Sequence, residues 1–164
     1  MAGSLFEGNK TITMDSHYID EPVKPDTARV LVGGCFDLLH FGHISFLSKA
    51  KTYGEELVVA LESDENVRKA KGDLRPIHTQ VQRKEMLDAL MCVDDVLMLP
   101  VMTGFDDYFT MVKKVNPSVI AITQGDPLQD KKQKQADLIG ASLVVIPKIH
   151  TPSTSQLAKL LELE

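Results

Sequence analysis

The stretch Gly33-Gly34-Cys35-Phe36-Asp37-Leu38-Leu39-His40-Phe41-Gly42-His43 constrains this chain more than any other. Directly before it, Ala28-Arg29-Val30-Leu31-Val32 is a β-rich apolar run that predicts a buried strand. The glycines that follow let the backbone turn without a Cβ clash, so the chain is expected to leave the sheet at Gly33 and Gly34. From His43 onward, Ile44, Leu47 and Lys51, with Phe46 and Ala50, follow helical spacing. His40 and His43 then sit at a strand-to-helix junction, where unpaired backbone N–H groups and the helix dipole favour an anion.

Phosphate is the natural occupant of such a junction, and the segment reads as a nucleoside triphosphate site. Gly42 lets a phosphate come close to the backbone, and two imidazoles can donate hydrogen bonds to oxygens whose charge grows in a transition state. The plainer alternative is a pair of capping or metal-ligating histidines on a turn. Metal ligation is disfavoured because no third Cys, His or carboxylate lies at a suitable spacing. The motif is neither a Walker A loop nor Gly-x-Gly-x-x-Gly, so P-loop hydrolysis and hydride transfer are poorly supported.

Downstream the pattern alternates. Strands are predicted near Leu57–Leu61, Val96–Leu99, Val119–Thr123 and Leu143–Ile146, and helices near Gln80–Met91, Asp106–Val115, Gln133–Ile139 and Thr154–Leu161. Such alternation predicts an α/β fold: a Rossmann-like, doubly wound parallel sheet with helices on both faces. Ligands of such sheets bind beyond the carboxyl ends of the strands, and the histidine segment follows the first strand at such an end. Residues 1–27 lack a sustained period and contain Pro22 and Pro25, so they are expected to form a flexible tail ahead of one domain spanning 28–164.

Composition narrows the partners. The 164 residues contain 43% hydrophobic side chains, enough for a core, and carry a formal net charge of -5, which argues against a nucleic-acid surface. Arg68, Lys69, Lys71 and Arg75 still form a basic stretch suited to the phosphates of a small ligand. Cys35 and Cys92 lack metal-type spacing, and no signal-like or membrane-length apolar run is present, so a cytoplasmic protein with reduced thiols and no membrane partner is expected.

Several other positions gather polar groups near predicted helix starts. Thr79 with Gln82 forms a capping box that places Arg83 in the first turns of a helix, on the face of Leu87, Leu90 and Met86. Arg83 there is either a phosphate-binding cation or an arginine snorkelling at the edge of the core. Lys71-Gly72 reads as a mobile loop that closes an ammonium over phosphates, or as a solvated charge run. Ser153 with Gln156 forms a second capping box, leaving Ser153, Thr154 and Ser155 at a helix start where hydroxyls suit phosphate. Gly125-Asp126 follows a strand and is at least a turn, and Asp37 either stabilises its own loop or orients backbone amides or a substrate group.

From about Val30 to Leu160 these segments resemble the cytidylyltransferase-like nucleotidyltransferases with a His-x-Gly-His signature, a family that includes glycerol-3-phosphate cytidylyltransferase and the adenylyltransferase domain of ADP-heptose synthase. The resemblance is carried by Gly34-Cys35-Phe36-Asp37 with His40-Phe41-Gly42-His43, Lys71-Gly72-Asp73-Leu74-Arg75-Pro76, Gln82-Arg83, Val93-Asp94-Asp95-Val96, Gly125-Asp126 and Ser153-Thr154-Ser155. It implies catalytic roles for His40, His43, Lys71 and Arg83. It implies nucleotide-binding roles for Gly33, Gly34, Cys35, Phe36, Asp37, Gly42, Arg75, Gly125, Asp126, Ser153, Thr154 and Ser155, with a structural or subunit-contact role for Asp94.

The implied reaction transfers AMP or CMP from ATP or CTP to the phosphate of a small phosphorylated metabolite and releases pyrophosphate. Mg²⁺ would ride on the nucleotide phosphates rather than on protein ligands, and a homodimer would be in keeping with the family. The Lys-Gly-x-x-Arg-Pro spacing leans toward adenylyl transfer, and Met91-Cys92 and Pro127 depart from the cytidylyltransferase pattern. Together with Lys148 to Pro152, these departures motivate an alternative, a nucleotide-binding regulatory module without turnover.

Overall fold

The computed structural model describes residues 28–149 together with 151, 156, 159 and 160. The expected N-terminal tail and the hydroxyls of Ser153, Thr154 and Ser155 lie outside the described residues, as does most of the expected last helix.

The described chain runs β1 (Arg29–Gly34), α1 (Phe41–Lys51), β2 (Glu56–Leu61), α2 (Asp64–Lys71), α3 (Gln80–Asp88), β3 (Asp95–Met98), α4 (Phe105–Val115), β4 (Val119–Thr123), α5 (Gln129–Ile139) and β5 (Ser142–Ile146). All five strands are parallel, in the order β3-β2-β1-β4-β5. The winding direction reverses between β1 and β4, which creates a crevice at the carboxyl end of β1.

Strand alternation sorts the core into two layers. Val30 and Val32 of β1, Leu57, Val59 and Leu61 of β2 and Val96 of β3 face α1 and α3 through Leu47, Ala50 and Leu87. Leu31, Val58, Ala60, Leu97, Ile120 and Ile122 point the other way, onto Met111, Val112 and Val115 of α4 and Ala136 of α5. Because β1 to β4 are covered on both faces, they are nearly continuous apolar runs, and this is why they are legible without a polar-apolar period; β5, at the sheet edge, buries only Ile146. The expected α/β, doubly wound sheet with helices on both faces is the observed fold.

Two local expectations are corrected. Gly33 and Gly34 do not turn the chain; they are the last residues of β1, paired with Ala60 and Leu61. The turn falls on Phe36, whose φ of 46° is left-handed, an uncommon conformation for a bulky residue. Its ring folds back over Gly34, where a Cβ would lie 2.8 Å from the ring, and is buried in the core. Glycine at 34 is therefore a seat for the Phe36 ring rather than a hinge.

The second correction is α2, in a stretch expected to be a loop. Only Val67 on it is buried, so no apolar stripe announces it. Its signals are polar: the Ser63 hydroxyl accepts from the Asn66 N–H, Asp64 and Glu65 occupy the first turn, and Arg68, Lys69 and Lys71 the last. These charges complement the helix dipole, and Gly72 ends the helix with a φ of 96°.

Gly54 packs the connection between α1 and β2 against the entry to β1, where a Cβ would lie 2.2 Å from the Ala28 carbonyl oxygen. Gly54→Ala is expected to destabilise the fold by about 1–3 kcal/mol through overpacking, measured as a lower urea midpoint with an unchanged m-value.

Candidate active site

His40 and His43 open α1. His40 is its N-cap, with extended backbone, and its Nδ1 accepts from the Gly42 N–H at 3.1 Å. A ring whose Nδ1 accepts must carry its proton on Nε2, so the neutral His40 keeps an N–H donor on its outer nitrogen. The capping reading and the functional one are thus satisfied by the two nitrogens of one ring. His43 lies one turn on, with ring centroids 3.9 Å apart and planes 27° from parallel, and its other face meets Phe36 at 5.2 Å.

Gly42 has a packing reason to be glycine: a Cβ there would lie 2.7 Å from Thr151 Cγ2 and 2.9 Å from the His40 ring. The segment after β5 therefore returns to the histidine signature through Thr151.

Burial lowers the His40 pKa, and His43 is pushed down to about 4 by burial, by His40 and by the charge of Lys71, with a Leu38 carbonyl opposing them. Both rings are neutral at pH 7; His40 keeps an N–H donor on Nε2, and the charge of Lys71 acts on His43. Lys71 is exposed and ends α2 rather than lying in a loop, and its charge reaches Cys35 as well as His43. Burial pushes the Cys35 thiol up, with Lys71 opposing and Glu62 reinforcing that shift.

Asp37 and Arg75 form a fully buried pair, with Nε to Oδ2 at 2.6 Å. The Asp37 carboxylate also accepts from the N–H groups of Ile77 and His78 at 2.8–3.0 Å. Burial alone would raise its pKa; the His78 and Ile77 amides and Arg75 outweigh burial and hold it below the ordinary aspartate range. Asp37 thus orients backbone amides, joining the signature segment to the chain that enters α3.

Arg83 does not snorkel. It is fully buried, and its guanidinium donates to the carbonyls of His78, Cys35 and Glu62 and to the Asp64 carboxylate at 2.7 Å. The expected Thr79–Gln82 capping box is present and aims it inward. Asp94, with Lys51 and the Leu57 N–H on its carboxylate, braces the start of β2. Gly125, at a φ of 82°, makes the turn after β4, and Asp126 accepts from the Leu128 N–H and pairs with Lys132 at 2.7 Å, so both build the entry to α5.

Glu62, Asn66 and Tyr108 join the rim of the site although no motif marks them. Tyr108 Oη donates to Glu62 Oε1 at 2.8 Å, and Asn66 Nδ2 lies 3.3 Å from Glu62 Oε2. Their only sequence signal is the position of Glu62 just past a strand's carboxyl end.

Among the described residues no group of three or more His, Cys, Asp or Glu is arranged to hold a metal ion. Among them, too, no helix is long and apolar enough to cross a membrane.

The sheet, its crevice and the paired histidines define a nucleotide-handling α/β domain. Residues 31–157 match the cytidylyltransferase-like family, and the chain belongs to it as a nucleotidyltransferase. It is 37% identical over 139 residues to an FAD synthase of Thermococcus onnurineus, covering 82% of this chain and 89% of that protein. It is 41% identical over 105 residues to the bifunctional protein HldE of Campylobacter fetus, covering 62% of this chain but 22% of that longer protein. A solved structure, the lipopolysaccharide core biosynthesis protein of Thermoplasma volcanium, superimposes with a TM-score of 0.62 at 25% identity, covering 76% of this chain and 98% of that one.

Two outcomes follow from this geometry. Arg83→Lys keeps the charge but not the fork, and is expected to cost about 3 kcal/mol or more in urea unfolding by stranding buried acceptors. In an NMR titration of the free protein the His43 ring is expected to protonate near pH 4 rather than 6.5. Since the unfolded ring takes its proton near 6.5, the His43 contribution to stability is full above that pH and falls as pH drops toward 4; it is read as the difference from His43→Gln.

Proposed function

We propose that the chain transfers a nucleotidyl group from a Mg²⁺-bound nucleoside triphosphate to the phosphate of a small phosphorylated metabolite, with release of pyrophosphate. The observation that carries this reading is the stacked, neutral pair His40 and His43 at the start of α1, at the sheet's crevice and next to Lys71. A phosphate oxygen of the acceptor attacks the α-phosphorus in line, the bond from that phosphorus to the β-bridging oxygen breaks, and pyrophosphate carries away the electron pair. The acceptor is already an anion at neutral pH, so no strong general base is needed.

The imidazole N–H groups donate to the α-phosphate and bridging oxygens as their charge grows, and Lys71 neutralises phosphate oxygens. Mg²⁺ enters as part of the nucleotide substrate, in keeping with its preference for phosphates and water over an all-protein cage. Arg83 acts as a positioning residue, since its guanidinium holds Cys35, Glu62, Asp64 and His78. The names FAD synthase and HldE favour ATP as the donor: FAD contains an adenylyl group, and an adenylyltransferase domain is what the sequence resembles.

The test is pyrophosphate release with each of ATP, CTP, GTP and UTP against sugar phosphates, glycerol phosphate, phosphocholine, phosphoethanolamine and FMN. ATP with one acceptor class is the expected result, and nucleotide binding with silence across the panel would favour the regulatory module. His40→Ala and His43→Ala are each expected to lower kcat by roughly 10²–10³-fold with the fold intact by circular dichroism. A folded, fully active histidine variant would sink the mechanism.

A further inference from the structure

Glu62 is the first residue past β2, and its backbone is fixed at both ends: its N–H donates to the Gly34 carbonyl at 3.1 Å and its carbonyl accepts from Arg83 at 2.8 Å. Its side chain leaves that anchored point half-buried, at the carboxyl edge of the sheet. There it meets Tyr108 from α4 and Asn66 from α2, and Asn66 also donates to the Met102 carbonyl at 3.2 Å. Asn66 is four residues from Glu62 and Tyr108 is 46 away, so α4 is brought onto the β2–α2 junction at one carboxylate.

Both side chains that grip this carboxylate are neutral. A brace between α2 and α4 would work with a glutamine, without the cost of holding a charge half out of water. Tyr108 occupies one oxygen and Asn66 the other, and a carboxylate with one donor on each oxygen can still accept more. Its charge is felt by the Cys35 thiol, inside the histidine signature. It also lies on the β2–β3 side of the crevice, whereas the Gly125–Asp126 turn lies on the β4 side.

In-line transfer needs nucleotide and acceptor on opposite sides of the α-phosphorus. Resting on the proposed nucleotidyl transfer, we infer that Glu62, held by Tyr108 and Asn66, selects the acceptor: a phosphate monoester whose body presents hydroxyl or N–H donors to this carboxylate. The acceptor's phosphate points away from Glu62, toward His40, His43 and Lys71, because like charges separate and the histidines and lysine attract it. Asn66 and Tyr108 are positioning residues that set the carboxylate's direction.

The test uses the full chain, with glycerol 3-phosphate, ribose 5-phosphate and FMN as donor-bearing probes and methyl phosphate as a probe with no donor. Pyrophosphate release is expected with at least one donor-bearing probe, and kcat/KM with methyl phosphate at least about 10-fold lower. Glu62→Gln keeps one oxygen for the Asn66 amide and turns an N–H to the Tyr108 hydroxyl oxygen, which can accept, so the brace survives without the charge. It is expected to raise the acceptor KM about 10-fold while nucleotide affinity by calorimetry and the thermal midpoint stay unchanged. An unchanged acceptor KM in this variant, or methyl phosphate serving as well as the larger probes, overturns the inference. Nucleotide binding without release from any donor-bearing probe also overturns it while leaving the nucleotide site standing. A chain that binds no nucleotide at all defeats the functional reading beneath it.

Discussion

The buried guanidinium of Arg83 holds the carboxyl edge of the sheet together. Burying a cation is unfavourable unless its donors are met, and here they are met by acceptors from four places in the chain: the signature segment, the end of β2, the start of α2 and the turn before α3. Glu62 and Asp64 share the β2–α2 junction, so one guanidinium joins three segments: the signature, that junction and the turn before α3. Fixing them to one planar group ties the segments after β1 and β2 and the turn before α3 into one rim beneath the paired histidines.

The buried Asp37–Arg75 pair extends the same logic. Asp37 ties the signature segment to Ile77 and His78, next to the point where Arg83 takes the His78 carbonyl. The buried charges of Asp37, Arg75 and Arg83 thus join loops, whereas the groups proposed to act on a ligand are neutral rings and an exposed lysine. Burial disfavours a positive charge on both His40 and His43, and Lys71 adds to that at His43.

The strands are legible because each is a short apolar run bounded by polar residues, and the predicted bounds of β4, Val119–Thr123, are the observed ones. The histidine signature was legible because its spacing sets a strand end and a helix start around a glycine. What escaped was whatever lacks an apolar period or a local motif. The α2 helix is written in caps and charges, so the stretch through Lys71 reads as a loop from sequence. The partners of Arg83 are illegible because sequence does not show which carbonyls will surround a guanidinium, and Tyr108 reaches Glu62 and Asn66 from a distant part of the chain.

By itself the sequence determined the α/β class, the parallel sheet and the position of the histidine signature, because these depend on residue periods and on neighbours a few positions apart. Only the tertiary structure decided which charges are spent on the fold and which remain for a ligand. Arg75, Arg83 and Lys71 are equivalent cations on paper; packing buries the first two against acceptors brought from distant loops and leaves the third exposed, since the cost of a buried charge depends on partners that the fold alone supplies.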